Sequence, residues 1–312
     1  MPDLNTYTST GSKLIHHPKA IKRWKQGYAT PISLQLAPTS RCNLKCSFCS
    51  NVNRDSYENL DFEDLTSLMP TWKRMGMKSV EITGGGECCL YPQINELIEF
   101  IDNLGLEIGM ISNGVLLKDK IKKENLNRLK WLRISMNCLE FVDSIDIPDI
   151  KGTLGFSFVW HKDVIFNVFN KVREYAAKHD PKYVRIVTDC LASDEEQKKN
   201  SEHLSQLATR YGNPFMFQPK VYKTPKECWW GYFKPFLLHD GWIYPCSSVV
   251  LNTKADRSFH EKYRLVRMEN LVNYYFDKAS PVDTQLCNRC VFFEQNKICA
   301  EIRNPNEMVN FI

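Results

Sequence analysis

The chain has 312 residues, 43% of them hydrophobic and 25% charged, with 41 Lys and Arg against 36 Asp and Glu for a formal net charge of +5. This composition fits one large globular domain, or a main domain with a small one, and excludes collagen, coiled coil and disorder. No apolar run approaches the ~18 residues of a membrane span, Met1–Ser12 lacks the apolar core of a secretory signal, and the charge is too mild to argue for nucleic acid by itself. The expectation is a cytoplasmic protein with no membrane partner.

Residues 1–30 read as an N-terminal extension lying on the main domain, with His16–Trp24 helical. Ile32–Leu36 is a short apolar strand running into a cysteine-rich loop. Phe62–Met75 has helical spacing, with Asp61 as N-cap and Pro70 expected to kink it. Ser79–Thr83 is a strand ending in Gly84-Gly85-Gly86, and Gln93–Asn103 a helix that begins just after Pro92. Glu107–Ser112 is a strand closed by Asn113-Gly114. The spacing then predicts a helix over Lys118–Leu129 and strands over Trp131–Met136 and Thr153–Trp160, with no clear helix between those two strands. Val164–Lys178 is a helix, Tyr183–Thr188 a strand, and Asp194–Tyr211 a helix that stops at Gly212. Six strands alternating with helices predict an α/β parallel sheet with outer helices over residues 31–212, either barrel-like or doubly wound. Residues 213–312 are rich in aromatics, prolines and cysteines, with little helical periodicity beyond Glu269–Lys278. Such a segment builds no large core alone, and metal is its natural staple.

Twelve cysteines are many for a chain without an export signal, where thiols serve as metal ligands or catalysts more often than as bridges. Cys42, Cys46 and Cys49 crowd into one loop, Cys228, Cys246, Cys287, Cys290 and Cys299 lie in the last third, Cys88 and Cys89 are adjacent, and Cys138 and Cys190 stand alone. Fully extended, the seven steps from Cys42 to Cys49 would reach about 24 Å at ~3.4 Å each, so a shared centre requires a wrapped loop. Three thiolates suit an iron–sulfur cluster with one iron left free of protein ligands. Zinc would require a fourth ligand, and the nearest histidine, His17, lies outside the loop.

The C-x3-C-x2-C spacing with Phe48 before the third cysteine, at the end of the first strand, resembles the radical S-adenosylmethionine (SAM) enzymes. The resemblance covers residues 30–212 and implies a partial (β/α)6 TIM-like barrel. It implies that Cys42, Cys46 and Cys49 hold three irons of a 4Fe–4S cluster whose fourth iron is chelated by SAM. One electron, from a donor such as flavodoxin or ferredoxin, would then release a 5′-deoxyadenosyl radical that abstracts hydrogen from a substrate carbon. Gly84, Gly85, Gly86 and Glu87 resemble the family's GGE motif, in which glycines admit close backbone approach and the carboxylate accepts from the methionyl ammonium. Asn113, within Ser112-Asn113-Gly114, resembles the family's Thr-Asn-Gly, Ser135 is a ribose contact by position, and Phe48 is expected near the adenine. The family's proline after GGE is replaced here by Cys88-Cys89. Plain packing is the simpler reading of those two thiols, and a substrate or redox role the alternative.

Cys228, twelve residues, Gly241, four residues and Cys246, followed later by Cys287-x2-Cys290, resembles the Twitch domain, the shortened form of the SPASM extension. The resemblance implies that Cys228, Cys246, Cys287 and Cys290 hold an auxiliary 4Fe–4S cluster in a small cysteine-rich domain over residues 213–312. Four thiolates could equally build a zinc site. Cys299 does not fit the spacing and reads as a buried thiol.

Weaker signals remain. Lys118, Lys120, Lys122, Lys123, Arg128, Lys130 and Arg133 read as the solvated outer helix of the barrel rather than a nucleic-acid patch. Trp229, Trp230, Tyr232 and Phe233 read as packing beside the second cysteine set, and His239 and Asp240 as turn residues. No catalytic residue can be named. An auxiliary cluster near a radical site implies oxidation of a substrate carbon. The alternatives are a redox-neutral isomerase or epimerase acting on an amino acid, peptide or nucleotide, and a non-catalytic metal-binding scaffold. The substrate is a small metabolite, an amino-acid side chain or a nucleotide.

Overall fold

The computed structural model describes residues 4–49, 51, 58–164, 166–220, 222–250, 261–285, 287 and 290–309. Seven parallel strands follow one another in sequence and in space: β1 (Ser33–Leu36), β2 (Ser79–Ile82), β3 (Glu107–Ser112), β4 (Trp131–Ser135), β5 (Thr153–Trp160), β6 (Tyr183–Thr188) and β7 (Phe215–Phe217). Helix α1 (Pro18–Lys25) precedes them. The crossovers carry α2 (Phe62–Met75), α3 (Ile94–Asn103), α4 (Phe166–His179) and α5 (Asp194–Tyr211). The alternating pattern leads one to expect this parallel sheet with outer helices, and the partial barrel is the form that the family resemblance implies, with β7 added beyond residue 212 on β6. Among the described residues no helix is long and apolar enough to cross a membrane.

The strands alternate in chemistry. Leu34, Val80, Ile82, Leu132, Ile134, Phe156 and Phe158 are at most 1% exposed and belong to the main core. Phe158 meets Phe169 of α4 with ring centroids 5.5 Å apart, so the even-numbered residues of β5 face the helices and the odd-numbered ones face the lumen. Helix starts follow ordinary capping chemistry. The Asp61 side chain accepts from Asp64 N at 2.9 Å, and Ser193 with Glu196 forms a reciprocal box at the start of α5. Pro70 lies inside α2, which nonetheless continues to Met75.

The helix expected over Lys118–Leu129 is two separate single turns, Leu117–Lys120 and Lys123–Leu126. Asn95 of α3 takes over the backbone at the break. Its side chain donates to Lys120 O at 2.8 Å and accepts from Lys122 N at 2.9 Å, which removes the advantage of a continuous helix. Arg133 is not on that outer surface at all. It lies in β4 on the lumen side, because Leu132 and Ile134 occupy the helix-facing positions. Of the helix read over Val164–Lys178, residue 165 lies outside the described residues, and α4 starts at Phe166.

The C-terminal third joins the same sheet. β8 (Phe236–Leu237) pairs parallel with β1, and β9 (Trp242–Tyr244) and β10 (Val266–Arg267) add antiparallel strands outside it, making one ten-stranded sheet. Helices α6 (Leu271–Phe276) and α7 (Phe293–Arg303) complete the segment. α1 packs against this segment rather than the barrel wall. Its fully buried Trp24 donates to Cys299 O at 2.8 Å and meets Trp229 and Phe233, both with centroids 5.1 Å away.

Candidate active site

The cysteine loop leaves β1 at the carboxyl end of the sheet, where open parallel sheets and barrels collect their sites. Its base is fixed by Ser40, whose backbone N–H donates to Glu58 O at 3.0 Å while its hydroxyl accepts from Glu58 N at 2.8 Å. Cys49 N donates to Cys46 O at 3.1 Å, closing the turn that brings the later two thiols round. Burial pushes the Cys46 thiol up to about 12, and the neighbouring Cys49 and Cys42 add to it. The half-buried Cys46 thiol, with Cys49 and Cys42 beside it, belongs to a donor set that suits an iron–sulfur core.

The glycine triplet lies directly against this loop. A Cβ on Gly86 would stand 2.0 Å from the Arg41 carbonyl oxygen, a contact only glycine avoids, and Glu87 N donates to that same oxygen at 2.7 Å. A Cβ on Gly85 would stand 3.1 Å from Nδ1 of His239, so the turn between β8 and β9 leans on the triplet. The Glu87 carboxylate is 3% exposed; it accepts from the Ser112 hydroxyl and from Asn113 N, both at 2.7 Å, and from Cys89 N at 3.2 Å. Two sequence motifs far apart in the chain thus share one carboxylate. Asn113 also donates through its amide to Asn43 Oδ1 at 2.7 Å, which ties β3 to the cysteine loop. Cys88 and Cys89 are 1% and 2% exposed. The Cys88 thiol donates to Ile111 O at 3.1 Å, and its hydrogen bond with Cys89 and its burial hold it well above the usual thiol range.

Phe48 stacks on the His161 ring with centroids 4.8 Å apart and planes at 31°. His161, at the end of β5, is 4% exposed; its Nε2 lies 2.9 and 3.1 Å from the two Glu140 oxygens, and Asn137 donates to Glu140 at 2.6 Å. Sequence reasoning missed this Asn137–Glu140–His161 set, because the three residues share no motif and meet only when β4 and β5 pair. Ser135 ends β4 level with Ser157, and its hydroxyl makes no hydrogen bond among the described residues.

A second site lies in the C-terminal segment, where Cys228, Cys246, Cys287 and Cys290 line one cavity together with Trp230, Phe292 and Asn296. Asn296 organises it. Its Oδ1 accepts from Trp229 N at 2.5 Å and Trp230 N at 2.8 Å, while its amide reaches Cys290 Sγ at 3.9 Å. A Cβ on Gly231 would stand 2.6 Å from Pro245 Cα, so the Cys228 and Cys246 segments touch backbone to backbone. Burial, with Cys246 and Cys290 nearby, holds the Cys228 thiol well above its ordinary range. Cys299 is fully buried in the main core, outside this lining. Gly241, with φ of 76°, makes the hairpin turn, and Asp240 beside it accepts from Trp242 N at 3.0 Å and from the Tyr244 hydroxyl at 2.9 Å.

Residues 36–139, from β1 through the turn after β4, match the model of the radical SAM superfamily. Those residues, a third of the chain, form a radical SAM domain. Such a domain implies SAM and a 4Fe–4S cluster as cofactors, and the loop, the glycine triplet and the three thiols described above fit both. This chain is 32% identical to GTP 3′,8-cyclase of Staphylococcus epidermidis over 117 residues, 34% of each protein. It is 30% identical to GTP 3′,8-cyclase of Clostridium perfringens over 113 residues, 34% of this chain and 35% of that one. The matched stretch is therefore only about a third of the length of those relatives. The fold of this radical SAM protein is similar to that of SuiB from Streptococcus suis bound to S-adenosylmethionine, with a TM-score of 0.55 at 17% identity over 88% of this chain and 73% of that one.

Proposed function

We propose that this protein is a radical SAM oxidase: Cys42, Cys46 and Cys49 hold the SAM-binding cluster, and Phe48, Gly84, Gly85, Gly86, Glu87, Asn113 and Ser135 form the SAM pocket. Cys228, Cys246, Cys287 and Cys290 hold a second 4Fe–4S cluster in a Twitch-type segment over residues 213–312, on a barrel over residues 31–212. When bound, SAM and its cluster supply hydrogen abstraction from a substrate carbon, and an iron–sulfur centre at the second set supplies a place for the electron left behind. The observation that carries this reading is the convergence of four cysteines from separated segments on one cavity.

The chain's own residues do the positioning. Glu87 is fixed by Ser112 and Asn113, so its carboxylate is oriented before any ammonium group arrives. Gly86 lets the backbone of the triplet lie flat on Arg41, and Phe48 is braced by His161. Flavodoxin or ferredoxin is the proposed electron donor. A redox-neutral cyclisation or isomerisation is the second reading, favoured by the relatives named GTP 3′,8-cyclase.

Metal analysis tests the leading reading. The anaerobically reconstituted protein should hold about eight irons, and Cys228→Ala with Cys246→Ala should remove roughly half while leaving SAM cleavage intact and stopping release of an oxidised product. Four irons with one zinc would contradict it, and an unoxidised product from the wild type would transfer support to the second reading.

A further inference from the structure

The barrel lumen carries charge that neither cofactor site uses. Gln35, Glu81, Arg133 and Arg185 alternate with fully buried apolar residues along β1, β2, β4 and β6, so they occupy the face turned away from the helices. Parallel strands covered on both faces are usually apolar throughout, which makes this polar lining a departure that needs a cause. Lys234, arriving from the C-terminal segment, donates to Glu81 at 2.8 Å, and Gln35 donates to the other Glu81 oxygen at 2.9 Å. Glu81 is thereby occupied.

The two arginines have no such partner. Arg133 makes no hydrogen bond or ion pair among the described residues; its guanidinium lies 5.7 Å from the centroid of the Trp131 ring. Arg185 donates once, to the neutral Gln218 Oε1 at 3.0 Å. In both, Nε is buried with no hydrogen-bond acceptor. Burial, with Arg133 adding to it, pushes Arg185 down to about 9. Three cations face one carboxylate on this partly buried face, and a bound anion would balance the excess positive charge.

The register gives the pair a floor and a direction. Arg133 is level with Gly155, and Arg185 with Ser157 and, through it, Ser135. Trp131, one step below Arg133, fills the space left open at Gly109; Tyr183, one step below Arg185 and level with Arg133 through Gly155, fills the space left open at Gly155, with Tyr7 stacked on it at 4.5 Å. These aromatics close the amino end of the lumen. Arg133 sits above Trp131 and Arg185 above Tyr183, each on the side of the rim that carries the cysteine loop.

Building on the proposed radical reaction, we propose that Arg133 and Arg185 bind the oxyanion of a small substrate, a phosphate ester or a carboxylate, and so anchor it beneath the radical site. Guanidinium forks match both groups through paired N–H donors. The substrate class is thereby an anionic metabolite whose reacting carbon lies on the rim side of its charged group.

The test measures protection of the anaerobically reconstituted protein against urea by inorganic phosphate and by acetate, each compared with chloride at equal ionic strength. Either oxyanion should raise the wild-type midpoint. Arg133→Gln or Arg185→Gln should weaken that apparent affinity by at least about tenfold, and Arg185→Lys should retain part of it. Stronger protection by phosphate assigns a phosphoryl group, and stronger protection by acetate a carboxylate. No protection beyond chloride, or equal protection in the Gln variants, overturns the proposal. Protection by SAM alone, lost in the Gln variants, would assign the arginines to the SAM carboxylate and overturn it too. The oxyanion arms use no SAM, so they are independent of the radical reading, which stands or falls on wild-type formation of 5′-deoxyadenosine.

Discussion

Asn113, at the end of β3, donates its side-chain amide to Asn43 in the cysteine loop at 2.7 Å, while its backbone N–H is held by Glu87 at the same distance. One residue therefore joins the three parts of the proposed SAM site: loop, glycine triplet and third strand. Asn43→Ala removes only the first link. It should weaken SAM binding to the reconstituted protein several-fold, the equivalent of about 1 kcal/mol for one lost hydrogen bond, without changing the fold. Equilibrium binding with radiolabelled SAM measures it, and an unchanged affinity would show that the loop is positioned by its base alone.

Gly86→Ala forces a methyl onto the Arg41 carbonyl. Neither partner is the far end of a flexible side chain, so the backbone must part. A loss of about 1–3 kcal/mol in unfolding free energy is expected, together with weaker retention of iron by the first site and normal retention by the second. Denaturant unfolding with site-resolved iron analysis separates the two effects.

Phe48 and His161 form an aromatic contact between the loop and β5. A double-mutant cycle through Phe48→Leu and His161→Asn should return a coupling energy of about 0.5–1.5 kcal/mol. A coupling near zero would mean that the loop is free of the β5 end.

Burial alone would raise the Glu81 carboxyl, but Lys234 and Arg133, with the hydrogen bonds from Lys234 and Gln35, outweigh it and hold the group below its ordinary range. The unfolded chain, with Glu near ~4.3, then takes up the proton first as pH falls. The stabilisation from this group is complete above about 4.3 and is lost as pH drops through the lower folded value. Urea midpoints measured from pH 6 to pH 3 should fall for the wild type, and Glu81→Gln should flatten part of that fall while lowering the midpoint at pH 6. Parallel profiles would mean that the Lys234 bridge contributes nothing to acid stability.

The parts of this protein that could be read from sequence are those whose chemistry is local. The cysteine triad, Gly84–Glu87 and the strand-helix alternation each announce themselves within a few residues, and the structure places the triad loop against the triplet through Gly86. The break between Leu117–Lys120 and Lys123–Leu126 could not be read, since it depends on Asn95 arriving from another helix. α7 carried no apolar stripe to detect, because the side chains it buries include Asn296 and Cys299. Arg133 was hidden by a run of surface lysines. A period-two reading of Trp131–Ser135, and likewise of Tyr183–Thr188, would have exposed both lumen arginines.

The most direct measurement is the product of SAM in the wild type and in Cys46→Ala. Reduced, anaerobically reconstituted wild-type protein should convert SAM to 5′-deoxyadenosine and methionine, and Cys46→Ala, with its loop otherwise intact, should yield neither above background. Equal 5′-deoxyadenosine from both proteins, or none from a wild type shown to carry its iron, would contradict the account.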